Sequence, residues 1–213
     1  MDQQPVVYVI DDDPRARMAL VGIVESLGLN VVACADAKEF LSCQTMNWPS
    51  CLVTDLRMDG MSGLDLLLHL KASDRMIPTI IVTGYPEMPV AVDAMLAGAV
   101  TFLEKTAPPQ KICDAVIQAL TQSRQQLARR LERERIAEIW NAINSEERQI
   151  LQLVAQGKLN REIAFEIGVP LRTIEDRRRR LMTKIGAVSI VDLIRFAVRL
   201  EELNQSGEFT SLP

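Results

Sequence analysis

VVYVIDDD, residues 6–13, joins an apolar run of five residues to three consecutive aspartates. The run is rich in β-branched residues and does not alternate, as in a strand that is buried on both faces of a parallel sheet. Four similar runs follow, separated by segments with helical periodicity. The runs are VVAC (31–34), CLVT (51–54), TIIVT (79–83) and AVTFL (99–103), and the helical segments are 15–27, 37–46, 64–72, 88–97 and 110 onwards. This alternation predicts an α/β fold with a doubly wound, parallel, five-stranded sheet.

After Pro109 the pattern is helical throughout. A segment without Gly or Pro predicts one helix from about residue 110 to Ile143. Its apolar stripe does not keep a strict heptad, so a solvated connector and a dimerising coil both stay open. Shorter helices are predicted at 146–156, 161–167, 171–185 and 190–203. The second and third of these, joined by a turn at Gly168, have the arrangement of a helix-turn-helix.

The charge distribution also divides the chain. Its 213 residues carry a formal net charge of −4. Residues 1–120 contain 15 acidic and 8 basic side chains, whereas residues 121–204 contain 12 acidic and 16 basic ones. This asymmetry indicates two functions. We therefore expect a domain at 1–120, a helical linker at 121–143, an all-α domain at 144–204 and a disordered tail at 205–213.

Composition argues against several other classes. The four cysteines lack metal-binding spacing, and His69, the single histidine, has no hydrolase partner nearby, so we expect reduced cysteines and no zinc. No apolar run approaches the roughly 18 residues of a spanning helix, and the start of the chain does not resemble a signal peptide. We expect a cytoplasmic protein that does not associate with a membrane.

Polar residues stand at the carboxyl ends of four predicted strands. They are Asp11, Asp12 and Asp13 after the first, Asp55 after the third, Thr83 at the end of the fourth and Lys105 after the fifth. Doubly wound sheets bind ligands at this edge, and clustered carboxylates need a cation to remain ionised together. Mg²⁺ suits a few carboxylates with phosphate oxygens, beside which another carboxylate can attack a phosphoryl group. The alternative, that the aspartates only cap helices, explains one or two of them but not four aligned strand ends.

Three stretches resemble the receiver domain of two-component response regulators of the FixJ/NarL subgroup. They are VIDDD (9–13), LVTDLRMDGMSGLDLL (52–67) and IIVTGYPEMPVAVDAMLAGAVTFLEK (80–105). The resemblance covers residues 5–120 and implies a flavodoxin-like strand order, with Asp55 phosphorylated by a sensor histidine kinase. It further implies Mg²⁺ or Mn²⁺ held by Asp11, Asp12, Asp55 and the backbone carbonyl of Arg57. Thr83 and Lys105 would contact the phosphoryl group, and Phe102 would be the aromatic side chain that reports the switch.

Two positions depart from the receiver pattern. The proline usual after the lysine is Thr106, and the proline usual four residues after the phosphoacceptor is Asp59, which adds a negative charge near the metal. Both motivate an alternative, a DNA-binding regulator that works without phosphorylation and whose receiver is a protein-interaction module. A phosphohydrolase would commonly carry an acid two residues after its nucleophile, where this chain has Arg57, so we expect no enzyme.

RTIEDRRRRLMTKIG, residues 172–186, contains four consecutive arginines. On a helical wheel, Ile174, Leu181 and Ile185 form one buried stripe, and most polar residues lie opposite. A solvated helix has the same composition, with Glu175–Arg179 and Asp176–Arg180 as neutralising i,i+4 pairs. The second helix of a helix-turn-helix instead enters the DNA major groove. We expect some of the arginines to contact DNA and others to hold the helix in place.

Residues 143–198 resemble the LuxR-type helix-turn-helix, which implies base-facing positions at Glu175, Asp176 and Arg179. The residues expected to contact DNA are Arg161, Arg172, Thr173, Glu175, Asp176, Arg178, Arg179, Arg180 and Lys184. Arg177, Asn144 and Asp176 depart from residues that are frequent in that family. Together the two resemblances imply a DNA-binding transcriptional regulator, with a sensor histidine kinase, double-stranded promoter DNA, a second copy of the phosphorylated chain and RNA polymerase as partners.

Overall fold

The computed structural model describes residues 4–43, 49–73 and 77–205, which form two compact units divided after Ala128. The first unit alternates strands and helices. Its elements are β1 (Val6–Ile10), α1 (Pro14–Glu25), β2 (Asn30–Cys34), α2 (Ala37–Ser42), β3 (Ser50–Asp55), α3 (Gly63–Ala72), β4 (Thr79–Thr83), α4 (Met88–Ala97), β5 (Thr101–Glu104) and the beginning of α5 (Pro109–Ala142). The strands form one parallel sheet in the order β2-β1-β3-β4-β5. The predicted doubly wound fold is confirmed.

The three central strands, β1, β3 and β4, are buried on both faces, which is why they are mainly apolar, whereas the edge strands β2 and β5 are more exposed. On one face, alternate strand residues such as Val9, Val53 and Val82 pack against α1 and α5. On the other face, Tyr8 and Leu52 pack with α2 and α3, and Ile81 with α4. The register places Ile10 opposite Thr54, Asp55 opposite Val82, and Thr83 opposite Glu104. The carboxyl ends of four strands therefore lie at one edge.

The helices begin at capping residues that the sequence supplies. The Asp13 side chain accepts a hydrogen bond from the N–H of Arg15 at the start of α1, and Ser62 forms a capping box with Asp65 at the start of α3. Predicted boundaries lie within two residues of those observed, except at the end of α2, which is at Ser42. Residues 44–46 of that predicted helix lie outside the described residues.

The second unit is helical. It contains the end of α5, followed by α6 (Ser145–Ala155), α7 (Asn160–Ile167), α8 (Leu171–Ile185) and α9 (Ile190–Gln205). Ile136, Trp140 and Ile143 of the predicted linker are buried in this unit's core, whereas Leu120 is buried in the first unit. Between these parts of α5, Leu131 is 54% exposed and does not continue the buried stripe. The linker and domain boundaries drawn from the sequence stay predictions.

Two further expectations concern the ends and the surface. The sequence predicts a disordered tail from residue 205, but Gln205 is the last residue of α9, and residues 206–213 lie outside the described residues. None of the helices in the described part of the chain is long and apolar enough to cross a membrane.

Candidate functional site

Three carboxylates meet at the carboxyl edge of the sheet. Asp11 and Asp12 follow β1, and Asp55 ends the neighbouring β3. One carboxylate oxygen from each lies within 4.8 Å of the other two. Asp11 and Asp55 are buried, whereas Asp12 is exposed. An all-oxygen cluster that is open on one side fits a hard divalent cation that keeps some of its waters.

Lys105 connects the fifth strand to this cluster. Its Nζ lies 2.6 Å from Asp11 Oδ2 and 3.0 Å from Asp55 Oδ2. The N–H of Lys105 donates to the carbonyl of Thr83 over 2.7 Å, which fixes the loop after β5 to the end of β4. Thr83 is buried, and its hydroxyl accepts a hydrogen bond from the N–H of Tyr85. The structure therefore brings together Asp11, Asp12, Asp55, Thr83 and Lys105 from four strand ends, whereas Asp13 caps α1.

Burial and charge oppose each other in this cluster. Burial raises the pKa of the Asp11 carboxyl above its usual value, although the hydrogen bond from Lys105 acts against that rise. Burial also acts to lower the pKa of Lys105, but its hydrogen bonds with Asp11 and Asp55 outweigh this effect and raise that pKa. Lys105 therefore remains an ammonium and provides a fixed positive charge beside two buried acids.

Backbone donors orient the carboxylates. The N–H of Leu56 donates to Asp55 Oδ1 over 2.7 Å, and the N–H of Asp13 donates to Asp11 Oδ1 over 3.0 Å. The N–H of Asp59 reaches Asp12 Oδ2 over 3.3 Å. Each acid is thus held through one oxygen by a neighbouring peptide group.

The remaining predicted receiver residues surround the cluster. The Arg57 side chain is exposed, pairs with Glu87 and lies 5.4 Å from the centre of the Tyr85 ring. Phe102 is half-buried against a cluster that includes Ala94 of α4. The roles assigned to the Arg57 carbonyl and to Phe102 stay predictions.

Gly63 is a residue that sequence reasoning missed. A Cβ at this position would lie 2.2 Å from the carbonyl oxygen of Asp55 and 3.1 Å from Thr54 Cγ2. The N–H of Gly63 donates to the carbonyl of Leu56 over 3.0 Å. The first turn of α3 therefore packs directly on the peptide that carries the Asp55 side chain. The available signal was a glycine directly after the helix cap Ser62, where any helix-forming residue would otherwise serve.

In the second unit, α7 and α8 are joined by a turn at Gly168, whose φ of 75° is left-handed. Ile174, Leu181 and Ile185 of α8 are buried, as the helical wheel predicted. The residues of the expected DNA-contacting set that are exposed are Arg161, Arg172, Glu175, Arg179, Arg180 and Lys184. Thr173, Asp176 and Arg178 are half-buried.

Three basic side chains of α8 bind within the unit. Arg178 is hydrogen-bonded to Asn160 Oδ1 at the start of α7, and burial lowers the pKa of its guanidinium. Arg177 pairs with Glu146 over 3.0 Å. Lys184 Nζ donates to Glu147 over 2.7 Å and to the carbonyl of Ala142 over 3.2 Å. These contacts attach α8 to α5, α6 and α7 by polar bonds in addition to its apolar stripe.

The predicted neutralising pairs of α8 are wrong in register. Asp176 pairs with Arg179, three residues on, at 3.1 Å, rather than with Arg180 four residues on. Both spacings bring side chains together on a helix, and side-chain rotamers decide between them. The outward face of α8 consequently presents Arg172 and Glu175 beside one acid–base pair.

Comparison with known proteins finds a family match within each unit. Residues 7–117 match the response regulator receiver domain, and residues 144–197 match the bacterial regulatory proteins of the luxR family. A receiver with an acidic cluster and a lysine, followed by this helix-turn-helix, defines a class of protein. The chain is a DNA-binding transcriptional response regulator of the two-component type, and its family is not one of enzymes.

Individual relatives narrow the class. The transcriptional regulatory protein FixJ of Azorhizobium caulinodans is 37% identical over 198 residues, which cover 93% of this chain and 94% of the relative. Nodulation protein W of Bradyrhizobium diazoefficiens is 35% identical over 92% of this chain and 86% of its own length. A solved structure of the response regulator StyR is 32% identical, covers 92% of this chain and 100% of its own, and has a TM-score of 0.86. The chain belongs to the FixJ/NarL-type response regulators.

Substitution of Gly63 by alanine is expected to weaken both the fold and the acidic cluster. The added methyl group must displace the Asp55 carbonyl, and we expect a cost of about 1–3 kcal/mol in the free energy of unfolding. Urea denaturation measures that cost for the whole fold, and hydrogen exchange of the β3 amides measures it locally. Gly22→Ala is the matched control, because a Cβ at Gly22 in α1 meets nothing within 4 Å. Equal stability of the two variants would contradict the steric argument.

Glu147 is expected to make the stability of the second unit dependent on pH. Burial opposes ionisation of this acid, but the hydrogen bonds from Lys184 and the N–H of Asn144 hold its pKa below the ordinary value of 4.5. Its stabilising contribution is therefore complete above pH 4.5 and is lost as the pH falls through the lower folded-state pKa. Glu147→Gln should lower the free energy of unfolding by about 1–3 kcal/mol at neutral pH, and this difference should vanish in acid.

Urea denaturation monitored by Trp140 fluorescence, in a Trp48→Phe background, measures this dependence. Glu146→Gln is the control, because Glu146 is exposed and pairs with Arg177 at the surface. If the two glutamine variants lose the same stability at every pH, the buried carboxylate of Glu147 is not the cause.

Proposed function

We propose that Asp55 accepts a phosphoryl group from a sensor histidine kinase and that this phosphorylation controls dimerisation and promoter binding. The observation that carries the proposal is the position of Asp55, whose carboxylate lies beside two further acids and within 3.0 Å of the Lys105 ammonium. Phosphoryl transfer can use these charges, because the acids can hold a metal ion and the ammonium can bind phosphoryl oxygens.

Several of the described residues would contribute to the transfer. Asp55 Oδ1 is held by the N–H of Leu56, so the carboxylate keeps one orientation while an oxygen attacks phosphorus and the bond from phosphorus to the donor's imidazole nitrogen breaks. The Lys105 ammonium and the Thr83 hydroxyl would bind the phosphoryl oxygens. Asp11, Asp12, Asp55 and the carbonyl of Arg57 would hold Mg²⁺ or Mn²⁺, which supplies charge neutralisation. Both Asp11 and Asp55 are buried, so without cationic partners their ionisation together would be costly.

The surface of α4 supports dimerisation of the phosphorylated chain. Met88, Val92, Met95 and Leu96 are exposed, and their spacing places them on one side of the helix. A stripe of this kind on a surface helix marks an interaction site. The helix begins directly after Glu87, which pairs with Arg57 of the loop that follows Asp55. A second copy of the chain is the partner we propose for this stripe.

The outward face of α8 supports promoter recognition. Glu175 and Arg179 can accept from cytosine and donate to guanine respectively, and Arg172 and Arg161 can bind phosphates. Arg178 and Lys184, which bind Asn160 and Glu147, would orient the helix more than read the sequence. RNA polymerase is a further partner that we propose, because the family consists of transcriptional regulators.

Asp55→Asn is expected to abolish phosphoryl uptake. The protein is incubated with Mg²⁺ and a small phosphodonor, and its intact mass is compared with that of the variant. One phosphoryl group on the wild type and none on Asp55→Asn is the expected result. Asp13→Asn is the control, because Asp13 caps α1 and is not among the three clustered acids. No uptake by the folded wild type would favour the alternative regulator, whose receiver binds a protein partner without phosphorylation.

Leu96→Glu is expected to keep the phosphorylated protein monomeric. Leu96 is 77% exposed, so a charge is tolerated by the folded monomer but not by an apolar interface. Sedimentation analysis with a small phosphodonor measures the change. Met18→Glu, on the exposed surface of α1, provides a control of similar exposure, at 75%. If both variants dimerise as the wild type does, the α4 stripe is not the dimer interface.

Arg179→Ala is expected to relax sequence preference at one base pair, by about 1–3 kcal/mol in discrimination. The preferred site is first selected from random duplex DNA, and binding to it and to single-base variants is followed by fluorescence anisotropy. Arg199→Ala is the control, because Arg199 is an exposed arginine of α9 that also pairs with an acid, Glu202. Identical sequence preference in both variants would assign Arg179 to a solvated face.

A further inference from the structure

Asp12 is the exposed member of the acidic cluster, and it is held differently from Asp11. Asp11 is buried, accepts a hydrogen bond from the N–H of Asp13 and pairs with the half-buried Lys105. Asp12 Oδ2 instead accepts a hydrogen bond from the N–H of Asp59, which lies 47 residues further along the chain. The orientation of this exposed carboxylate thus depends on the loop between β3 and α3.

That loop is fixed at both of its ends. At its start the N–H of Leu56 bonds to Asp55, and the Met58 side chain is buried. At its end the N–H of Gly63 bonds to the carbonyl of Leu56, and Ser62 and Asp65 form the capping box of α3. A peptide N–H in such a loop is pre-oriented, so it can restrict the rotamers of the carboxylate that it contacts.

We propose that Asp59 is a positioning residue for the cation site, and that it acts through its backbone N–H rather than through its carboxylate. The inference deepens the proposed function, because it assumes that Asp11, Asp12 and Asp55 hold a divalent cation. The carboxylate of Asp59 is not among the three that cluster within 4.8 Å, whereas its N–H contacts one of them. The receiver pattern has proline at this position, and a proline has no N–H to donate.

The proposal distinguishes two effects that one residue could have. A negative charge at position 59 attracts a cation without any hydrogen bond, and an N–H at position 59 orients Asp12 without any charge. Asp59→Asn and Asp59→Ala remove the charge and keep the N–H. Asp59→Pro removes both. The three variants therefore separate the charge from the hydrogen bond.

The first measurement is the affinity of each full-length protein for Mn²⁺, followed by electron paramagnetic resonance of the unbound ion and checked by competition with Mg²⁺. Asp59→Pro is expected to raise the Kd about threefold, as for the loss of one exposed hydrogen bond. Asp59→Asn and Asp59→Ala are expected to bind as the wild type does. Wild-type affinity in Asp59→Pro overturns the proposal, and so does an equal loss in all three variants, which would assign the effect to the charge.

A double-mutant cycle tests whether Asp59 acts through Asp12. In an Asp12→Ala background, Asp59→Pro is expected to cause no further loss of Mn²⁺ affinity. A further threefold loss there would show that proline disturbs the site by another route and would overturn the proposal.

The contact can also be tested without proline, should that variant fail to fold. The amide proton resonance of Asp59 is expected to move upfield in Asp12→Ala relative to the wild type, without added metal, because its acceptor is gone. An unmoved resonance overturns the proposal. Absence of Mn²⁺ binding by the wild type would instead remove the proposed metal site itself, whereas normal binding with unresponsive variants would remove only the role of Asp59.

Discussion

The first unit depends on one electrostatic arrangement, two buried carboxylates from neighbouring strands that share the ammonium of Lys105. An isolated carboxylate in such a place would be strongly disfavoured, and two would be worse. The arrangement is tolerable because β1, β3 and β5 are parallel, so the loops at their carboxyl ends all lie at the same edge. The same cluster that is costly for folding is the feature that phosphoryl chemistry can use.

The receiver's other features follow from keeping this edge rigid. Peptide N–H groups hold one oxygen of each acid, and the close contact of Gly63 with the Asp55 carbonyl sets the start of α3 directly against Asp55. Arg57 extends from the same loop to Glu87, next to the exposed apolar stripe of α4. A change at the acidic cluster therefore lies only a few contacts from the surface that we propose for dimerisation.

In the second unit, α8 is held by both apolar and polar contacts. The apolar stripe of α8 would place the helix against the core but would define its rotation only loosely. Polar bonds from Arg177, Arg178 and Lys184 to three other helices remove that freedom. The arginine run thus contains two groups of side chains. Its inward members anchor the helix, and its outward members remain at the surface that would face DNA.

Much of this could be predicted because it depends on local pattern. Short β-branched runs that alternate with helical segments indicate the strands of a parallel sheet, and the spacing of Ile174, Leu181 and Ile185 defines one side of a helix whatever it packs against. The aspartates after β1 and β3 could be brought together in prediction, since the ends of parallel strands meet by geometry.

By itself, the sequence determined the order of the elements, the edge where the acids gather and the face that α8 buries, because these follow from backbone geometry and side-chain periodicity. Only the tertiary structure decided which partner each polar group takes. Three contacts show this. Asp176 pairs with Arg179, the Asp59 N–H binds Asp12, and Gly63 contacts Asp55. The choice between Arg179 and Arg180 rests on side-chain rotamers, and the other two contacts rest on how the loop after β3 packs, so side-chain periodicity does not specify them.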